Sequence, residues 1–264
     1  MSLARRSFLT TLGCATCAAL MPRAAYAAGK AALKPAPTRS LGDVEGCMLV
    51  GKDVGLIKSR LHASSSGGGE EITVTRTTGN KDLDRALDKS LVRLSETFGI
   101  DPTFGFFDDE DPNAFAVPES NDISRTGTVL FGKQLFTELQ QADPSGVSVL
   151  GVCSHEFAHI WQFQSGLYKT IRGDGPTVKR LELNADFLAG YYLGLRKSAV
   201  PKASLWIFGQ KLWGLGDNNV NDRDHHGTPE ERTAAAEAGF KLSYVQKQDV
   251  QTAFRVGMEY VSML

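Results

Sequence analysis

The sequence has no apolar run of about 18 residues or more, so nothing in it reads as a membrane-spanning helix. Nor does it have a long charge run, and 29 basic against 30 acidic residues leave a formal net charge of −1. That removes the electrostatic footprint a nucleic-acid or anionic-membrane partner would require. Cysteine is scarce, with four in 264 residues, and histidine is limited to five. No internal repeat is visible. What remains is an ordinary soluble composition, 42% hydrophobic and 22% charged, long enough for one good-sized domain with a tail or small subdomain.

The first residues stand apart. Arg5-Arg6-Ser7-Phe8-Leu9 precedes an uncharged, Ala-rich run from Leu12 to Met21, and Ala25-Tyr26-Ala27 supplies a small-x-small cleavage pattern. A basic start, a short apolar core and such a site predict a signal peptide over residues 1–27. The paired arginines resemble a twin-arginine signal, so the chain is expected to be exported, periplasmic or secreted. A lipobox around Cys14 is disfavoured by Thr11, which stands where an aliphatic residue belongs. Cleavage removes Arg5, Arg6 and Arg23 from the 29 basic residues, leaving 26 against 30 acids and a net charge of −4. Only Cys47 and Cys153 then remain, enough for one disulfide if they lie close together.

Residues 28–69 read as a leader and linker, opening in Ala, Pro, Lys and Gly and closing in Ser64-Ser65-Ser66-Gly67-Gly68-Gly69. His62, beside that stretch, reads as solvent-exposed. Glu71 to Arg76 alternates as a short strand. Leu83, Leu87, Leu91, Leu94 and Phe98 recur at three and four, predicting a helix over Lys81–Phe98 that Gly99 stops. Strands are predicted at 104–107, 114–117 and 128–131. Helices are predicted at 133–140, from Pro144 to about Gln164, and at 178–195, 202–212, 229–239 and 245–260. The order gives an α+β fold, with a small N-terminal sheet and a mostly helical C-terminal part, in a domain over residues 70–264. Trp161, Trp206 and Trp213 read as core.

His155-Glu156-Phe157-Ala158-His159 is an H-E-x-x-H motif inside a predicted helix. At 100° per residue the two imidazoles lie about 40° apart, one turn from each other, so both can reach one ion. Glu156 sits about 100° round, near the metal but not on it, where a general base for metal-bound water belongs. Val149, Cys153, Phe157 and Ile160 fall opposite, predicting a helix that buries one face and offers the other. Two histidines do not hold a catalytic zinc. Gln162 and Ser165 stand where a metzincin would carry its Gly and third His, which excludes that class. Glu182 and Asp186 share a face of the next helix. Glu182 can be the third ligand, and Asp186 can accept from the far nitrogen of a zinc histidine.

His155-Glu156-x-x-His159 with Glu182-Leu183-Asn184-Ala185-Asp186 and Ala189-Gly190 resembles the gluzincin class, especially the neutral zinc metallopeptidases. Looser similarities lie at Asn113–Ala116 before Thr128–Phe131, and at His226-Gly227-Thr228 before Glu231-Arg232; together they cover about residues 80–240. The resemblance implies a zincin-like fold, Zn2+ as cofactor and a peptide or protein substrate. Glu156 would be the general base, with His226, then His225, then Tyr191 as candidate donors to the oxyanion. His225 and His226 equally suit a loop that caps the Pro229 helix. The strand near Thr128–Phe131 is expected at an exposed edge on which an extended substrate can pair. Cys47 could in principle occupy an open zinc position. Two other functions stay open: a non-catalytic binding or scaffold protein on the same fold, and a zinc hydrolase of non-peptide amides.

Overall fold

The computed structural model describes residues 74–109, 112–118, 120, 125–199, 208–209, 222 and 225–264. The proposed signal peptide, the leader, Cys47, His62, Trp206, Trp213 and nearly all of the helix predicted at 202–212 lie outside them. The architecture is α+β, with seven helices and one three-stranded sheet among the described residues.

Helix α1 (Lys81–Phe98) starts where Asn80 accepts hydrogen bonds from the Asp82 and Leu83 amides, and it stops at Gly99, whose φ of 69° lies in the left-handed region. Its buried stripe is Leu87, Leu91, Leu94 and Phe98. Three strands follow, β1 (Thr103–Phe107), β2 (Ala114–Val117) and β3 (Thr128–Gly132), in the spatial order β1-β3-β2. β1 runs parallel to β3, and β2 runs antiparallel to it. β3 is therefore the central strand, not the exposed edge that its sequence suggested; the antiparallel edge is β2. Val129 to Gly132 are buried, so the backbone N–H and C=O groups of β3 need partners inside the protein, and strands on both flanks supply them. Thr75, in the segment read as an early strand, forms a single bridge to Phe106.

Helix α2 (Lys133–Ala142) follows β3 without a loop, and Gly132 at its N-cap has no side chain to offer. Asp109 takes over that role from across the sheet, accepting from the Gln134 and Leu135 amides at 2.7 and 3.1 Å. A Cβ at residue 132 would fall 1.9 Å from the Asp109 carboxylate, so glycine is what admits this remote cap. Helix α3 (Val147–Gln164) is capped in the same borrowed manner by Asp143, which accepts from the Ser148 amide and hydroxyl. A short helix, α4 (Tyr168–Arg172), leads to α5 (Lys179–Ala199), and α6 (Pro229–Tyr244) and α7 (Val250–Ser262) close the chain. The predicted 245–260 helix starts later because Lys247 adopts a φ of 54° and Asp249 caps at Thr252.

α3 is the axis of the core. Its residues are buried on every side except Leu150, Phe163 and Gln164, rather than on the single face its pattern implied. The sheet, α1, α2 and α5 all pack against it, and Trp161 stacks on Phe254 of α7 with ring centroids 4.1 Å apart. Cys153 is a free, fully buried thiol of the core whose pKa burial pushes up. No helix of the described residues is long and apolar enough to cross a membrane.

α5 and α6 form the tightest seam. A Cβ on Gly190 would lie 1.9 Å from the Ala236 carbonyl oxygen, and one on Gly239 would lie 1.8 Å from that of Phe187. Backbone thus meets backbone, and the Ser243 hydroxyl donates across the seam to the Tyr191 carbonyl at 2.7 Å. Gly190→Ala is expected to destabilise the protein by about 1–3 kcal/mol or more, because neither backbone can yield. Gly175→Ala, whose Cβ would meet nothing within 4 Å, should stay within about 0.5 kcal/mol. Urea unfolding of the two variants side by side measures the difference.

Candidate metal centre

α3 and α5 cross so that His155, His159 and Glu182 converge in the interior, their ligand atoms all within 4.8 Å of one another. The two imidazole Nε2 atoms are 3.0 Å apart. Glu182 oxygens lie 3.4 Å from the Nε2 of His155 and 3.9 Å from that of His159. All three residues are at most 2% exposed. This group could hold a metal ion.

The outward nitrogens are both engaged. His155 Nδ1 lies 2.8 Å from Asp186 Oδ1, and His159 Nδ1 lies 2.9 Å from the Gln162 side-chain oxygen. Each acceptor draws an N–H to Nδ1, which turns the Nε2 lone pair inward. Two lone pairs and a carboxylate aimed at one point repel one another unless a cation or proton lies between them.

Asp186 is itself held. Arg232 Nε and Nη2 donate to its two oxygens at 2.8 and 3.0 Å, and Nη2 stands 3.8 Å from Glu182. Arg232 is 1% exposed and sits in the first turn of α6. A capping box fixes that turn: the Thr228 hydroxyl accepts from the Glu231 amide, the Glu231 carboxylate accepts from the Thr228 amide, and Pro229 follows the cap. Gly227, at a φ of 100°, lets the chain enter against Leu183.

No family model, curated protein or solved structure matches the chain. What the centre can do therefore follows from its own chemistry.

Glu156 is fully buried, and neither of its oxygens has a hydrogen-bond partner among the described residues. Burial raises its carboxyl to about 8, opposed by the charge on His155 and reinforced by Glu182. For His155 burial works against the charged form, but the Asp186 and Glu182 carboxylates outweigh it and lift the imidazole to about 10. Burial and the His155 charge press His159 down to about 4. Glu182 is held well below the usual carboxylate range despite burial, by its hydrogen bond to His155 and by the charges of His226 and His159. Asp186 is lowered as well, Arg232 and His155 overcoming desolvation.

His226 is thus close enough to act on Glu182. His225, 2% exposed, instead lines a cavity of about 470 Å³ with Arg172, Lys179 and Arg180. Tyr191 is not brought to the centre: its hydroxyl donates to the Gln248 carbonyl at 3.0 Å, toward α7. It lies more than a turn beyond Asp186, and with its hydroxyl committed to Gln248 it is not among the residues the structure brings together here. Two residues that the sequence left without a role, Arg232 and Gln162, are integral to the centre. The Thr228-x-x-Glu231 capping signature could have placed Arg232 in a first helical turn, and Gln162 is three residues after His159, on the same face.

One guanidinium against three carboxylates leaves a buried charge of −2, from Arg232, Glu156, Glu182 and Asp186. At pH 7 the metal-free centre offsets it with protons on Glu156 and His155, since both titrate above 7. A divalent cation does the same with its own charge, so binding should expel about two protons at pH 7 and about one at pH 9, where Glu156 has already ionised. Calorimetric titration in buffers of different ionisation enthalpy counts them; no proton release at pH 7 contradicts this picture. Separately, Arg232→Met should cost the metal-free protein about 3–5 kcal/mol in urea unfolding by stranding Asp186.

Proposed function

We propose that the chain is a zinc-dependent hydrolase of peptide bonds, on a zincin-like fold, acting outside the cytoplasm. The observation that carries this is Glu156. An ionisable side chain buried without a hydrogen-bond partner costs stability, and a purely structural metal site has no need of one beside its ligands. General-base chemistry does.

The donor set fits zinc. Tetrahedral ligands about 2.05 Å from an ion are about 3.3 Å from each other; the two imidazole nitrogens are 3.0 Å apart, and Glu182 presents one oxygen 3.4 Å from His155 and its other 3.9 Å from His159. Two neutral imidazoles and one carboxylate, leaving a fourth position for water, are a catalytic zinc's complement. When bound, zinc supplies a Lewis acid and lowers the pKa of its water.

The chain's residues do the rest. Asp186 holds the His155 tautomer, and Arg232 keeps Asp186 ionised and oriented. Glu156 accepts a proton from the attacking water and hands it to the leaving amine nitrogen as the C–N bond breaks. His226, whose charge acts on Glu182, is the candidate second donor to the oxyanion.

Glu156→Gln should keep stoichiometric zinc by elemental analysis while cleavage of casein or a peptide library falls by about 10²–10⁴-fold. Wild type that binds zinc but cleaves no more than the variant would sink the peptidase reading and leave a zinc-bearing binding protein in its place.

A further inference from the structure

We infer that Gln162 is the positioning residue for His159, a neutral counterpart to the Asp186 that serves His155. The inference rests on the cluster being a metal centre as read above, and it goes beyond that reading by giving the second histidine its own support.

The amide's orientation decides the matter, because a glutamine can present either its oxygen or its nitrogen to an imidazole. Gln162 Nε2 lies 2.9 Å from the Leu181 carbonyl oxygen and 3.0 Å from Asn184 Oδ1. The Leu181 carbonyl can only accept. It therefore fixes the NH2 group on its own side and turns the Gln162 oxygen toward His159 Nδ1, 2.9 Å away. An acceptor there holds the proton on Nδ1 and leaves Nε2 bare for a metal. The reversed amide would set N–H against N–H or force the proton to Nε2, where it would block the ion.

The same contacts tie two helices together at the centre. Leu181 and Asn184 bracket Glu182, so Gln162 links the segment of α5 that carries the third candidate ligand to the turn of α3 that carries the second. Gln162, Asn184 and His159 are each at most 2% exposed. Water has little access to replace a missing partner, and the loss of Gln162 should be felt in full.

Gln162→Met removes both hydrogen-bonding atoms at nearly constant volume. Gln162→Glu, protonated in so buried and carboxylate-rich a place, keeps the pattern: its O–H donates to Leu181 and its C=O accepts from His159. Two readouts separate a positioning role from a general packing role. The first is Zn2+ affinity by competition with a chromophoric chelator, and the second is the His159 tautomer in metal-free, ¹⁵N-histidine-labelled protein.

The Met variant should bind Zn2+ about 10–100-fold more weakly, and the Glu variant within about threefold of wild type. His159 should be Nδ1–H in wild type and Gln162→Glu, and should shift toward Nε2–H in Gln162→Met. Unchanged affinity and an unchanged tautomer in the Met variant would overturn the inference. So would loss of the Nδ1–H tautomer in the Glu variant, which decides the question even if the Met variant does not fold. If wild type binds no Zn2+, the metal reading fails, while the tautomer comparison still judges Gln162 on its own.

Discussion

The Asp186 carboxylate is the interaction on which the rest depends. It is bonded on one side to His155 of α3 and on the other to Arg232 of α6, while it belongs to α5. Three helices are thus pinned at one buried point. A lone carboxylate at 0% exposure would be prohibitively expensive; between an imidazole and a bidentate guanidinium it is satisfied on both oxygens. Arg232 is equally dependent, since a buried guanidinium without Asp186 would strand its own charge. Neither residue makes sense without the other.

This pairing imposes geometry on the seam between α5 and α6. For Arg232 to lay its Nε and Nη2 flat against Asp186, the two helix backbones must approach closely over several turns. Gly190, Gly194 and Gly239 allow it, each standing where a Cβ would strike the opposite helix. Small residues in a helix usually weaken it, and here their intrinsic cost is offset by tertiary contact that larger side chains would forbid. The Thr228 capping box sets where α6 begins and so sets the angular position of Arg232. Local capping, seam packing and the polar centre are one construction.

Much of this was legible in the sequence because it obeys helical periodicity. His155 and His159, and likewise Glu182 and Asp186, are four apart, and a spacing of four places side chains on one face whatever surrounds them. Lys81–Phe98 was legible for the same reason, with an apolar stripe and a terminal glycine. What escaped was non-local. No spacing rule links Asp186 to Arg232, 46 residues on, and Gln162 reads from sequence only as the residue standing where a metzincin would carry its glycine. Pairing order in a sheet is likewise not a local property, so β3 gave no sign of lying between its neighbours. The apolar face expected of α3, Val149, Cys153, Phe157 and Ile160, is buried, but so is the other face, because the polar residues Ser148, Ser154, His155, Glu156, His159 and Gln162 are also inside. Most of them find partners inside the protein: Asp143 for Ser148, the Leu150 carbonyl for Ser154, Asp186 for His155, and Gln162 for His159.

The two histidines are supported unequally, and charge explains why. Asp186 brings a negative charge to His155, but Arg232 cancels it in place. A second carboxylate behind His159 would have no such cation, and with Glu156 and Glu182 nearby it would take the buried centre from −2 to −3. A divalent ion could no longer neutralise that sum. An amide accepts the same hydrogen bond from Nδ1 without adding charge, and its NH2 group satisfies the Leu181 carbonyl in the same stroke. Glutamine at 162 is therefore what the electrostatics permit once aspartate stands at 186, and the asymmetry of the pair follows from the presence of a single buried arginine.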